Sequence, residues 1–149
     1  MKNIKVIFLI LAASTVGAVI ILTFYKPNIF NKKNNSSKQS VLSSQINSEG
    51  SVTVEVTPNE LSQASGWDFE MVLDAHSGNL DQDLTKNSVL VDDKGNQFPP
   101  IAWEGDPPQG HHRSGILKFK PISPKPKSIE LRIGKIGEIS ERSFNWELR

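Results

Sequence analysis

Apolar and polar residues alternate in short runs along this chain after residue 50, and no other feature limits its possible folds so strongly. In SVTVEVT, residues 51–57, all three valines fall on one face of an extended chain. The same two-residue period recurs in seven runs: 51–57, 67–76, 87–93, 97–103, 116–120, 128–133 and 143–148. This period is that of a strand with one buried face, so the sequence predicts an antiparallel all-β body.

The segments between these runs are rich in residues that end strands. Residues 92–96, DDKGN, are typical of a hairpin loop, with glycine where a positive φ is needed. Three prolines within residues 121–127 cannot continue a strand, and Pro99 and Pro100 indicate that the fourth run is an edge strand. Residues 78–86 are expected to form one short helical turn. Seven strands in about 100 residues predict a two-sheet sandwich of immunoglobulin type.

Residues 6–25 form an uncharged apolar run. As a helix it would cross a hydrocarbon core about 30 Å thick. The apolar region of a cleaved signal peptide is shorter, about 7–15 residues, and ends at a small-x-small site, whereas this run ends in ILTFY with Tyr25 as an interfacial aromatic. The sequence therefore predicts an uncleaved transmembrane anchor, with a cleaved signal as the alternative.

The side of the membrane on which the C-terminal body lies is a separate question. Lysines follow the apolar run in greater number than they precede it, which favours a cytoplasmic body under the positive-inside rule. A short basic leader before a first apolar span is nevertheless typical of export signals, and long domains translocate largely regardless of charge. We therefore expect the body to lie outside the cytoplasm.

The segment between the apolar run and the first strand is dominated by serine, asparagine and lysine. Such a segment has too little apolar surface to offset the entropy of ordering it, so it is expected to be a flexible linker. The predicted organisation is a basic leader (1–5), a transmembrane anchor (6–25), a linker (26–50) and a sandwich (51–149).

The net charge of +1 hides opposite charges on two parts of the chain. Residues 1–50 carry six lysines and one glutamate, whereas residues 51–149 carry eleven Lys or Arg and fifteen Asp or Glu. An acidic excess on the folded part disfavours nucleic acid as a partner. The chain has no cysteine, which excludes disulfides, thiolate metal sites and a cysteine nucleophile.

The series VLVDDKGNQF, SGILKFKP, SIELRI and SFNWEL resembles the small immunoglobulin-like sandwich domains that prokaryotes tether outside the membrane by one N-terminal helix, the telokin-like group among them. The resemblance covers residues 51–149 and rests on a D-x-G hairpin, a G-x-L-x-F strand and a closing F-x-W-x-L strand. It implies the fold and the membrane tether. It carries over no catalytic or ligand residue.

If the strands run alternately up and down, the connections after the second, fourth and sixth strands share one end of the sandwich. All three histidines, His76, His111 and His112, belong to that end, as does Asp74. Imidazole and carboxylate groups together suit Zn²⁺ or Cu²⁺. The sequence therefore predicts a candidate metal site of Asp74, His76 and one of the two adjacent histidines, which point apart in an extended chain. The alternative is that all three are ordinary surface histidines.

The loop WEGDPPQGHHRSG, residues 103–115, is also a candidate site for a ligand or partner. An exposed Trp103 beside Glu104 and Asp106 would stack on a sugar ring or a partner side chain. Alternatively, Trp103 belongs to the core. Arg113 would then pair with Glu104 or Asp106 and fix the turn.

Enzymatic function is not expected. A Ser-His-Asp set could be assembled from Ser77 or Ser114 with a histidine and Asp74, but the sequence has no G-x-S-x-G elbow, no glycine-rich phosphate loop and no dinucleotide fingerprint. The sequence indicates a single-pass membrane protein whose extracytoplasmic sandwich is a binding module for an envelope protein. Capture of Zn²⁺ or Cu²⁺ is the alternative function.

Overall fold

A computed structural model of the chain describes residues 42–59, 61–64 and 66–148. The predicted leader, the anchor at 6–25 and most of the predicted linker lie outside the described residues. Within the described ranges, no helix is long and apolar enough to cross a bilayer.

The described residues form nine strands and one helix of four residues. The elements in chain order are β1 (Gln45–Asn47), β2 (Val52–Pro58), β3 (Trp67–Ala75), α1 (Leu84–Asn87), β4 (Ser88–Asp92), β5 (Gln97–Phe98), β6 (Ala102–Gly105), β7 (His112–Phe119), β8 (Ser128–Ile136) and β9 (Ile139–Glu147). One sheet has the order β1-β2-β3-β7-β6 and the other β5-β4-β8-β9, and all neighbours pair antiparallel. The predicted antiparallel all-β architecture is confirmed.

The core lies between the inward faces of the two sheets. Every second residue of β2, β3, β8 and β9 is buried over most of each strand, as the alternation predicts. Phe69 of β3 and Trp146 of β9 meet across the two sheets with ring centres 5.6 Å apart, and Phe119 meets Phe69 edge-on at the same distance. Full burial of such aromatic side chains is the main force that holds the layers together.

The fourth predicted strand is not one strand. Residues 97–103 divide into β5, at the edge of one sheet, and β6, at the edge of the other. Pro99 and Pro100 stand between them, and because proline has no N–H to donate, the chain leaves the first sheet there and enters the second. The described residues therefore contain nine strands where the sequence pattern predicts seven, the ninth being β1.

Strand β1 lies within residues 26–50, where the sequence predicts linker. The Gln45 side chain hydrogen-bonds both the N–H and the carbonyl of Asn145. Its amide therefore makes the two hydrogen bonds that a neighbouring strand would make at this position on the outer edge of β9. The Trp146 indole donates to the Ser43 carbonyl at 2.8 Å. The unpaired backbone groups of an edge strand can pair with another chain. Gln45 of β1 and Ser43 occupy part of the β9 edge and so protect it from such pairing. Residues from Leu42 onward thus belong to the folded body, which extends it before the predicted boundary at residue 51.

The connections gather at two ends of the sandwich. The histidine end comprises residues 48–51, 76–83, 106–111 and 137–138. These segments touch one another, since His76 N–H donates to the Ser51 carbonyl and Leu80 N–H to the Gly110 carbonyl, both at 2.9 Å. The lysine end comprises the described residues of 59–66 together with 93–96 and 120–127. Gln63 Nε2 donates to the Ile122 carbonyl there at 2.8 Å.

Candidate functional site

Of the four predicted metal ligands, all within the described ranges, Asp74 and His112 are the two whose side chains are in contact. They are cross-strand partners on the outer face of β3 and β7, and Asp74 Oδ1 lies 2.5 Å from His112 Nδ1. Both groups face solvent, with 81% of the His112 side chain and 46% of the Asp74 side chain exposed. The pair is therefore an accessible surface contact, and it leaves Nε2 of His112 available to a ligand.

His76 and His111 lie close to this pair along the backbone. The Ala75 N–H donates to the His111 carbonyl at 2.7 Å, which extends the β3–β7 ladder by one step beyond Asp74 and His112. Both imidazoles are exposed. The predicted gathering of the three histidines at one end is thus present in the fold, but across the described ranges no three His, Asp or Glu side chains are grouped closely enough to hold a metal ion.

A carboxylate on Nδ1 of a histidine is the arrangement found in catalytic triads, which also require a hydroxyl at Nε2. Ser114 projects from the same face of β7, two residues from His112. Its hydroxyl instead donates to Asp106 Oδ2 at 3.1 Å, and its N–H donates to the same oxygen at 2.8 Å. Among the described residues, no serine or threonine hydroxyl is hydrogen-bonded to His112.

Arg113 does not pair with Glu104 or Asp106, which corrects the sequence-based interpretation. Its side chain is directed into the sandwich and is only 2% exposed, and Nη1 donates to the carbonyls of Leu80 and Gln82 at 3.1 and 2.8 Å. Burial lowers the pKa of its guanidinium, and the nearby acidic side chains, Asp106 first, oppose that shift. Arg113 therefore fixes the loop that follows β3 from beneath.

Trp103 is half-buried and packs against the core rather than standing free in solvent. Its Nε1 donates to the Asp106 carbonyl at 2.8 Å. The indole occupies the space above the paired glycines Gly105 and Gly115, where an added Cβ would lie 2.9 and 2.7 Å from its Cζ2 atom. Trp103 therefore packs with the core, as the core interpretation of the sequence predicts, and it braces the 106–111 loop instead of forming an exposed aromatic platform.

Glu104 and Asp106 also have partners within the fold. Lys118 bridges Glu104 and Asp68 on the outer face at 3.1 and 3.2 Å, and these two carboxylates raise the pKa of its ammonium group. Asp106 holds Ser114, as described above. The four residues predicted as a ligand site therefore brace the loop and the adjoining sheet edge.

Arg142 is a second buried arginine at the same end, and the sequence reasoning missed it. It lies on β9, is 1% exposed and donates through Nη1 to the Asn47 side-chain oxygen and through Nη2 to the Glu49 carbonyl at 2.6 Å. Burial lowers the pKa of its guanidinium, and Glu49 opposes the shift. Arg142 thus fixes the β1–β2 turn as Arg113 fixes the β3–α1 loop.

A sequence signal for both arginines was present. Arg113 is in phase with the buried Leu117 and Phe119 on β7, and Arg142 is in phase with Phe144 on β9. A charged residue on the apolar phase of a strand predicts a buried ion with internal hydrogen bonds, because an unpaired buried charge is too costly.

The histidine end carries a strongly one-sided charge. Its loop residues include five carboxylates and no lysine or arginine: Glu49, Asp81, Asp83, Asp106 and Glu138. Asp83 caps α1, and hydrogen bonds from Thr85 and Lys86 lower its pKa to about 2. The exposed Lys86 pairs with Asp83 at 3.0 Å, whereas Arg113 and Arg142 are buried beneath the loops. The other four carboxylates leave the surface offered to solvent acidic, and it is rich in imidazole.

Comparisons of this chain with protein-family models, with curated proteins and with solved structures find no match.

Proposed function

We propose that this chain is a single-pass membrane protein whose extracytoplasmic, immunoglobulin-like sandwich is a non-enzymatic binding module for another protein of the cell envelope. The uncharged run at 6–25 and the basic leader support the anchor and the outward orientation. The module binds through its histidine end.

Strand order supports the immunoglobulin-like fold and the related resemblance to tethered prokaryotic sandwich domains. In that fold one sheet has the order A-B-E-D, and the other contains C, F and G with C′ added in some members. The order β2-β3-β7-β6 corresponds to the first sheet and β5-β4-β8-β9 to the second. Strand β1 is an addition that precedes strand A.

The observation that carries the binding role is the construction of the histidine end. Two buried arginines and Trp103 hold its loops by hydrogen bonds, so that acidic and imidazole side chains are presented on a fixed frame. Loops that are held rigidly lose little entropy on association, and a one-sided charge selects a partner of opposite sign. The expected partner surface is basic.

A photo-crosslinking experiment on the full chain in its native membrane tests this proposal. A crosslinker at Gln109, in the exposed 106–111 loop, should capture a partner, whereas one at Glu70, on the outer face of β3, should not. Adding Asp81→Asn and Glu138→Gln should reduce the Gln109 crosslink several-fold, because both carboxylates lie at the histidine end. Glu70→Gln with Glu147→Gln removes the same charge elsewhere and should leave it unchanged. Equal capture at Gln109 and Glu70 would contradict the proposal.

A second candidate function, capture of Zn²⁺ or Cu²⁺, is favoured by one observation, the contact of Asp74 with His112. Coordination would require His76 or His111 to turn toward that pair. Calorimetric titration of the chain with Zn²⁺ and with Cu²⁺ tests it: binding should be lost in His112→Ala and retained in Lys86→Gln. Absence of heat and of any melting shift at micromolar metal would remove this candidate.

A further inference from the structure

Leu42, which precedes β1, lies at the lysine end of the sandwich. The segment before β1 lies beside the C-terminal part of β9, where Trp146 binds the Ser43 carbonyl and Leu148 N–H donates to the Lys127 carbonyl at 2.7 Å. The register Gln45↔Val56 likewise places the beginning of β1 near the Pro58 end of β2. Leu42 therefore leaves the sandwich toward the lysine end.

Sixteen positions, residues 26–41, separate the predicted span from Leu42. If they are as flexible as their composition predicts, their mean end-to-end distance is about 20–24 Å. A nine-residue strand such as β3 is about 30 Å long. A linker of that length would be shorter than the sandwich and would keep the lysine end nearer to the bilayer than the histidine end.

The charge of this end suits that position. Its described loop residues include four exposed lysines, Lys94, Lys120, Lys125 and Lys127, and a single carboxylate, Asp93. Asp92, at the end of β4, directs its oxygens into its own turn, where they accept from Lys94 N and Asn96 N at 2.9 and 2.8 Å. This is the reverse of the charge at the histidine end.

Three of the four lysines also line a groove. The groove, of about 260 Å³, lies between the 93–96 and 122–127 segments and has Lys94, Lys125 and Lys127 around an apolar floor of Phe98 and Ile122. Asp92 and Asp93 also line it, so the lysines exceed the carboxylates there by one. Ammonium groups around a partly apolar groove fit a phosphate headgroup at the boundary of a bilayer, where the charge remains hydrated and the apolar floor is covered.

We infer that the lysine end docks on the anionic surface of the bilayer in which the chain is anchored, so that the histidine end is held outward for its partner. This inference rests on the membrane anchor of the proposed function. Each lysine near an anionic surface strengthens membrane binding by about fivefold, and opposing carboxylates reduce the total. Docking should therefore depend on anionic lipid and weaken as salt is raised.

The chain has no cysteine, so single labels can be introduced. The full chain carrying Ser123→Cys at the lysine end, or Ser77→Cys at the histidine end, is labelled with a fluorophore and reconstituted into phosphatidylcholine vesicles containing a headgroup quencher. Adding phosphatidylglycerol should increase quenching at position 123 several-fold and leave position 77 unchanged. High salt should reverse the increase.

A charge variant with a matched control completes the test. Replacing Lys94, Lys120, Lys125 and Lys127 by Gln should weaken the phosphatidylglycerol-dependent quenching at position 123 by about tenfold or more. Lys86→Gln with Lys135→Gln, both exposed and outside the lysine end, should retain it. Circular dichroism of each variant checks that the sandwich is folded.

The anchor and the docking fail in different ways. If the chain does not float with vesicles after an alkaline wash, the membrane anchor is wrong and this inference falls with it. If the chain floats but position 123 is not quenched in phosphatidylglycerol, or position 77 is quenched as strongly, the anchor stands and the docking of the lysine end is wrong.

Discussion

The Arg113 guanidinium lies 5.3 Å from the centre of the Trp103 ring, and together these two side chains hold the histidine end in place. The contact joins two loops, because Arg113 binds the carbonyls of Leu80 and Gln82 while Trp103 binds the carbonyl of Asp106. A cation over an indole face is itself stabilising, the more so where water is excluded.

Replacing Arg113 by Met should leave those two carbonyls without their donor. A hydrogen bond to a charged group contributes about 1.5–3 kcal/mol, so we expect the free energy of unfolding to fall by about 2–4 kcal/mol. Urea unfolding of the full chain in mild detergent, followed by circular dichroism, measures the change. Arg132→Met removes an ion pair with Glu130 on the outer face, where solvent screens the charges, and should lower the free energy of unfolding much less than Arg113→Met does. Equal losses in the two variants would contradict this account of Arg113.

Gly115→Ala should displace the Trp103 indole. The new Cβ would lie 2.7 Å from Trp103 Cζ2 and from Gly105 Cα, and such overpacking costs about 1–3 kcal/mol. The near-ultraviolet circular dichroism spectrum should change as well. Gly134→Ala, whose Cβ would meet ordinary neighbours at 3.4 Å or more, is the control and should change stability by less than Gly115→Ala. An unchanged spectrum in Gly115→Ala would argue against the packing described for Trp103.

Asn47→Ala should destabilise the sandwich, although Asn47 lies in the predicted linker. The Arg142 guanidinium would lose its side-chain acceptor, and we expect the free energy of unfolding to fall by about 1–2 kcal/mol. Ser48→Ala, at an exposed neighbouring position, should stay within about 0.5 kcal/mol of the parent chain. In the same assay, a fragment of residues 51–149 should be markedly less stable than one of residues 42–149. Fragments of equal stability would show that β1 is dispensable.

The helix cap at Asp83 should make stability depend on pH in acid. Its pKa in the fold, about 2, is below the ordinary value of 3.8, so its contribution is fully present above about pH 4 and is lost as the pH falls toward 2. Because other carboxyls titrate in this range, the quantity to measure is the difference in unfolding free energy between the parent chain and Asp83→Asn. That difference should be constant from neutral pH to about pH 5 and shrink below pH 4. A constant difference down to pH 2 would contradict the cap assignment.

The period-two pattern predicted the strands whose inner residues are apolar, because burial of one face produces both the alternation and the strand. The turn residues 92–96 predicted the positive φ of Gly95, and residues 78–86 predicted one short helical turn, which is found at Leu84–Asn87. Neither kind of pattern could predict β1, whose Gln45 and Asn47 join the fold through side-chain hydrogen bonds. Only tertiary structure supplies their partners, Asn145 and Arg142.

The candidate site shows the same division. The assumed up-and-down course of the strands placed the histidines at one end, and the cross-strand register brings Asp74 beside His112. The register between strands distant in sequence is set by the packed core. The direct contact of Asp74 with His112 therefore could not be predicted from the sequence. The direction of Arg113, in contrast, was readable from its phase with Leu117, and treating it as a surface residue was an error of interpretation.

Strand β1 runs from the lysine end toward the histidine end, and its backbone bonds to β2 lie across that direction. A pull on Leu42 along the strand axis would therefore load these bonds simultaneously in shear instead of peeling them apart one by one. The side chains of Gln45 and Asn47 add hydrogen bonds to Asn145 and Arg142 of β9 in the opposite sheet. The N-terminal edge of the described sandwich is thereby arranged to resist a pull along the axis of β1.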